Sequence, residues 1–231
     1  MVSPDAPATA TAAPASPVRA ALIFAASAGL IGLSFGVLAR TSGFSLLMTC
    51  AMSLLVFAGG SQFLAVATIA SGGTPLAAVL GGIVLNARHL PYGLAVAPLL
   101  RGPLWKRALS SQIVLDESTA LALAQPTPEL GRLAFYACGC ALFVAWNAGT
   151  LVGALAGGAI ADPAALGLDA AFPASMVALL APLLRRRDMR TAALAGAVLA
   201  LAATPFTAPG VPILIAAAGA LAARLVRETP A

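Results

Sequence analysis

Apolar segments long enough to cross a bilayer recur along this chain, at Val18–Ala39, Phe44–Ala70, Pro75–Leu100 and Leu133–Ile160. A helix needs about 20 such residues to span the hydrocarbon layer. Only 9% of the 231 residues are charged and 60% are hydrophobic, whereas an ordinary soluble domain is about 25% charged. This excludes a water-facing globule and predicts an all-α, polytopic helical membrane protein, whose backbone polar groups must bond within each helix.

The net charge of +5 does not point to nucleic acid, because the basic residues lie mostly at the ends of apolar runs, where they orient helices by the positive-inside rule. Residues 1–17 are Pro-, Ala- and Thr-rich and read as a disordered N-terminal tail, leaving residues 18–231 as a single transmembrane domain. Cys50, Cys138 and Cys140 fall in apolar stretches with poor zinc spacing and read as packing residues.

Gly32 and Gly36 in the first run, and Gly149, Gly153 and Gly157 in the fifth, recur at four-residue intervals, the spacing of close helix contact in lipid. The Ala108–Ala124 stretch is short and holds Asp116 and Glu117, which predicts a re-entrant or cavity-lining segment. With Phe172–Leu184, Thr191–Ala203 and Val211–Val226, the tally is about seven spans. The RRRDMR loop at Arg185–Arg190 is expected in the cytoplasm, as is the C-terminus, with the N-terminus outside if the second run crosses once. A likeness between the stretches starting at Gly43 and Gly167 suggests an inverted three-helix repeat.

Polar groups within the apolar runs mark the candidate chemistry, because an ionisable residue at mid-bilayer persists only when paired or wetted. In GGSQF, Gly59 and Gly60 weaken a helix whose exposed backbone, with Ser61 and Gln62, can bind a polar solute; the plain alternative is close helix packing. In NARHLPYG, Pro91 removes a backbone donor, so two carbonyls near Asn86 and Ala87 are expected to lose their regular partners. Asn86, Arg88, His89 and Tyr92 lie there, and the lone histidine suits proton carriage. In LDEST, Asp116 and Glu117 need a counter-charge, for which Arg88 is the candidate; the alternative is a solvated surface pair. Trp146 and Asn147 sit in mid-span, as cavity wall or as packing.

A Ser61–His89 dyad of an intramembrane serine protease lacks the expected Gly after the serine. Metal ligands are too few for a metal centre, no Walker-type loop is present, and no cofactor is expected. A carrier of small solutes remains, with a non-transporting membrane assembly subunit as a further alternative.

GGSQF at Gly59–Phe63, NARHLPYG at Asn86–Gly93, LDES at Leu115–Ser118 and GLDAAFPASMVALLAP at Gly167–Pro182 resemble, in order, the motifs of the azaleucine-resistance (AzlC-type) permeases. The resemblance runs from about Val18 to the C-terminus. It implies export of valine, leucine, isoleucine and often methionine across the cytoplasmic (inner) membrane. It also implies a small hydrophobic partner subunit of the AzlD type. Gln62, Phe63, Asn86, Arg88, His89 and Tyr92 match family positions as site residues, and Asp116 and Glu117 match an Asp-Glu pair. Gly60 and Pro91 depart from the family pattern, which often has Ala or Ser at the first and an aliphatic residue at the second.

The site expected from these readings comprises Gly59, Gly60, Ser61, Gln62, Phe63, Asn86, Arg88, His89, Tyr92, Trp146 and Asn147 for the solute. His89, Asp116 and Glu117 are the candidates for proton coupling, which would draw on the proton-motive force. Backbone groups at two facing breaks are expected to hold the ammonium and carboxylate, and apolar side chains such as Phe63 the aliphatic tail.

Overall fold

The computed structural model describes residues 16–158, 183–209 and 211–219, together with 165, 167, 170, 174, 177, 180 and 181. All but the last two residues of the 1–17 tail, about half of the Phe172–Leu184 span and the end of the Val211–Val226 run therefore lie outside the described residues. No strand occurs among those described. Helices start where a hydroxyl precedes proline: Ser16 before α1 (Pro17–Thr41), Thr74 before α4 (Pro75–Asn86) and Thr127 before α8 (Pro128–Ala156). Each hydroxyl accepts a first-turn N–H at 3.2–3.3 Å, and proline at the first helical position has no N–H to leave unpaired.

Three helices among the described residues are individually long and apolar enough to cross a membrane: α1, α8 and the stretch Arg187–Phe206. The other runs are built from shorter pieces. Among these are α2 (Leu46–Leu55), α3 (Gly59–Ala70), α4, α5 (His89–Val96), α6 (Leu104–Ser111) and α7 (Asp116–Leu123).

α1 and α8 pack backbone to backbone. A Cβ on Gly32 would lie 2.6 Å from the Trp146 carbonyl oxygen. A Cβ on Gly149 would overlap the Gly29 carbonyl, one on Gly153 the Leu33 carbonyl, and one on Gly36 the Thr150 carbonyl. Two glycine stripes recognisable in the sequence are thus each other's partner. The contacts rise together along both helices, so α1 and α8 run parallel, beginning at the same end of the molecule. Arg19, Arg101 and Arg132 lie at that basic end.

The second apolar run does not cross. α2 starts beside the far end of α8, where Gly157 meets Val37 and Arg40, and descends so that Ser53 bonds Asn147 and Thr150 and the Phe57 ring lies 4.8 Å from that of Phe143. α3 then turns back along α4, with Ser61 beside Gly82, Leu64 beside Gly81 and Thr68 beside Gly73. α4 and α5 form one kinked span, since Ala87 and Arg88 keep right-handed helical angles. This span ends at the basic end, where Leu99 meets Gly131.

α6 and α7 enter from the basic end and return to it. Ser110 bonds Tyr136 at 2.8 Å, Ile113 packs on Gly139, and Ala122 comes back to Gly131. Each of these helices has 8 residues, about 12 Å, less than half of a hydrocarbon layer of roughly 30 Å. The expected re-entrant segment is therefore real, but it is a helical hairpin rather than one helix.

Two expectations change. Because the second run folds back, the start of α1 lies at the same end as Arg132, not opposite it. Arg40 is then no orientation signal; its Nη1 donates to the Phe44 carbonyl at 2.8 Å. An inverted repeat requires opposite senses for the two glycine-striped helices, and they run in the same sense. Gly43 and Gly167 do share a left-handed backbone, φ 89° and 67°, as the likeness of the stretches they open would have it.

Gly153→Val is expected to lower stability by about 3 kcal/mol, the upper end for overpacking, seen as a lower thermal midpoint in detergent. Gly93→Ala, where a Cβ meets nothing within 4 Å, should leave the midpoint unchanged. A Gly153→Val midpoint equal to wild type would show that the two helices do not meet backbone to backbone.

Candidate functional site

The two hairpins meet tip to tip beside the middle of α8. Gln112, at the α6–α7 tip, donates from Nε2 to the carbonyls of Leu54 and Leu55 at 3.0 and 3.2 Å. Those carbonyls close α2, whose last turn has no helical partner for them. One side chain thus caps a helix end in the interior and ties one hairpin to the other.

The chain reverses between α2 and α3 at Val56–Ala58. Phe57 takes φ 38°, an outlier for a bulky residue that costs on the order of 1–3 kcal/mol. The break thus falls just before Gly59-Gly60 rather than on it, and the glycines open α3. The reason is Trp146, whose ring lies where a Gly59 Cβ would sit, 2.8 Å away. For Gly59 the packing alternative is what the geometry displays. Ser61 donates its hydroxyl to the Ala58 carbonyl at 2.9 Å, and the Gln62 N–H reaches the same oxygen at 3.1 Å. The first-turn N–H groups of α3 are left without helical partners in the protein interior.

The α4–α5 kink is milder than the sequence suggested. The Asn86 carbonyl meets His89 Nδ1 at 3.0 Å and the Ala87 carbonyl accepts from Leu90 N–H at 3.1 Å. Both carbonyls expected to lose partners are therefore met locally.

Arg88 and Asp116 pair as their isolation in the sequence demanded, at 3.1 Å between Nη1 and Oδ2. The Tyr92 hydroxyl donates to the other oxygen, Oδ1, at 2.7 Å. Asp116 thereby joins α5 to α7 with both oxygens engaged. Glu117 makes no ion pair among the described residues.

Between α2, α3 and α4 runs a groove of about 520 Å³, with Ser61 and Asn86 set among Met52, Val56, Val79, Ile83 and Leu90. The two breaks therefore share one cavity. Gln62 is fully buried, and neither atom of its amide has a partner among the described residues. The same holds for Asn86 Oδ1, Arg88 Nε, His89 Nε2, Thr119 Oγ1 and Trp146 Nε1. Unpaired buried polar groups are rare and costly, and here most of them belong to the residues singled out in the sequence.

Other assignments shift. Phe63 packs on Phe35 and Trp146, with ring centroids at 5.6 and 6.4 Å, and does not line the groove. Asn147 accepts from Ser53 at 2.7 Å and donates to the Phe143 carbonyl at 2.8 Å, a helix-to-helix tie. Sequence reasoning missed Gln112, which no motif marks, and gave no role to Thr119 of LDEST, whose place one helical turn after Asp116 was the available signal.

Tyr92→Phe, which removes one bond to a charged acceptor, is expected to cost about 1.5–3 kcal/mol, read as a drop in thermal midpoint. In an Asp116→Asn background the same change should cost much less. Equal losses in both backgrounds would mean that Tyr92 and Asp116 do not interact.

Residues 23–160 match the AzlC protein family. An uncharacterized membrane protein of Archaeoglobus fulgidus is 35% identical over 170 residues, 73% of this chain and 74% of the relative. The Escherichia coli inner membrane protein YgaZ is 33% identical over 185 residues, 73% of each. The Bacillus subtilis branched-chain amino acid transport protein AzlC is 27% identical over 130 residues, 55% of this chain and 51% of that protein, about half its length. No solved structure matches. With the family matched over more than half of its length, and with polar breaks set inside a helical membrane fold, this chain belongs to the AzlC family.

Proposed function

We propose that the protein exports branched-chain amino acids, valine, leucine, isoleucine and also methionine, across the cytoplasmic membrane. The observation that carries this reading is the groove shared by the two interior breaks. It offers a zwitterion with an aliphatic side chain what it needs. The first-turn N–H groups of α3, which have no helical carbonyl to bond, lie at the Ser61 end of the groove and suit a carboxylate, as helix N-termini do in many carriers, with the buried Gln62 amide next in the chain. Asn86 Oδ1, which lacks a donor among the described residues, suits the ammonium. Met52, Val56, Val79 and Ile83 suit the aliphatic tail, a part first given to Phe63. The name of the Bacillus subtilis relative supports the substrate class.

The basic end is taken to face the cytoplasm. The groove's open side is apolar, with Val79 at 57%, Ile83 at 62% and Leu90 at 72% exposure. A small hydrophobic membrane subunit of the AzlD type is the partner proposed to close it. Proton coupling is assigned to His89 and Glu117, because Asp116 is tied to Arg88 and Tyr92. The protease alternative has no support in the geometry: the Ser61 hydroxyl donates to the Ala58 carbonyl and His89 Nδ1 faces the Asn86 carbonyl.

Cells expressing the chain with its partner and loaded with labelled valine are expected to release it faster than cells lacking both. Gln62→Ala and Asn86→Ala should each lower the initial rate about tenfold, or 1.4 kcal/mol, at unchanged membrane abundance. Release no faster than from cells lacking both proteins sinks the export reading. Unchanged release by both variants places the site elsewhere, and loss of complex yield without a selective transport defect favours an assembly subunit.

A further inference from the structure

At the basic end, a second cleft of about 200 Å³ is lined by Pro98, Leu99, Arg101, Pro128, Glu129 and Arg132. It lies between the turn that closes the α4–α5 span and the first turn of α8. Neither arginine is ion-paired, since the ion pairs among the described residues are Arg88–Asp116 and Arg186–Asp188. Two guanidinium groups thus face one carboxylate, that of Glu129, and the cleft keeps an excess positive charge.

The neighbouring surface fits an interface with lipid. Just past Arg101, α6 exposes Leu104 at 80%, Trp105 at 61% and Leu109 at 67%, with Lys106 Nζ 5.3 Å from the Trp105 ring centroid. Apolar and basic side chains mixed at the start of α6, with an exposed tryptophan, are the mark of a hairpin entering at head-group depth. On α8, exposed Leu133 follows Arg132 directly.

We propose that this cleft binds the phosphodiester head group of an anionic membrane phospholipid, held by Arg101 and Arg132. A guanidinium fork matches a phosphate's oxygens bidentately, and basic pockets beside membrane helices recruit anionic lipid in this way. A free phosphate ion shares the charge but not the apolar surroundings, and the position at the end of the spans selects the lipid. The proposal does not depend on which solute the protein carries. Glu129 weakens the site and sets its preference for a well-anchored anion.

The test is retention of lipid by the purified full chain in detergent, counted by native mass spectrometry after incubation with equimolar phosphatidylglycerol and phosphatidylcholine of matched acyl chains. Phosphatidylglycerol should be retained over phosphatidylcholine. Arg101→Gln and Arg132→Gln should each cut its retention about fivefold, the factor expected for one basic residue at an anionic surface, with the thermal midpoint unchanged. Glu129→Gln should raise retention, and Arg107→Gln, on α6 and outside the cleft, should leave it unaltered. Equal retention of the two lipids, an equal loss in Arg107→Gln, or displacement of phosphatidylglycerol by inorganic phosphate would each overturn the proposal.

Discussion

The backbone contact between α1 and α8 is the interaction on which the rest of the structure depends. In lipid, helices gain little from burying apolar side chains against one another, so close approach and interhelical hydrogen bonds must hold them together. Gly29, Gly32 and Gly36 on one side and Gly149, Gly153 and Gly157 on the other make that approach possible over most of both helices. α8 then has its remaining faces free to organise the interior. Ser53 ties α2 to it, Gly139 and Gly131 admit the α6–α7 hairpin, and Trp146 stacks on Phe35 while filling the space beside Gly59.

A pair of parallel helices with a hairpin entering from each end has a chemical consequence. Four helix ends lie in the interior, where a soluble protein would keep its ends in water. Their backbone groups need partners, and the partners found are particular: Gln112 for the end of α2, Ser61 for the carbonyl before α3, Ser118 for the Leu115 N–H before α7. Most of the buried side-chain atoms that stay without a partner among the described residues lie near the breaks, at Gln62, Asn86, Arg88, His89, Thr119 and Trp146, with Arg40 Nε and Thr68 Oγ1 outside that group. A polar solute small enough for the groove is the kind of ligand such an arrangement can hold while the surrounding span stays apolar.

Much of this was legible from the residues. The two glycine stripes, the non-crossing Ala108–Ala124 segment and the need of Asp116 for Arg88 all follow from rules that act at short range or from the cost of an unpaired charge in lipid. The path of the second run did not follow. Hydropathy measures length and apolarity, and a run that goes in and comes back has the same composition as one that crosses. The break was placed on Gly59-Gly60 because glycine weakens a helix, but the tight contact with Trp146 comes from a residue far away in the chain. The sense of α1 relative to α8 was misjudged for the same reason, since it inherits the path of the run between them. Gln112 was invisible because a capping amide carries no motif.

The re-entrant path of residues 44–70 is the claim that sets the topology and brings helix ends into the interior. Single cysteines at Thr41 and Ser71, in a chain with Cys50, Cys138 and Cys140 replaced by alanine, test it directly with a membrane-impermeant maleimide applied to intact cells. The account predicts that both positions label from the same side of the membrane. Labelling from opposite sides would contradict it, because the run would then cross once and the two hairpin tips could not meet.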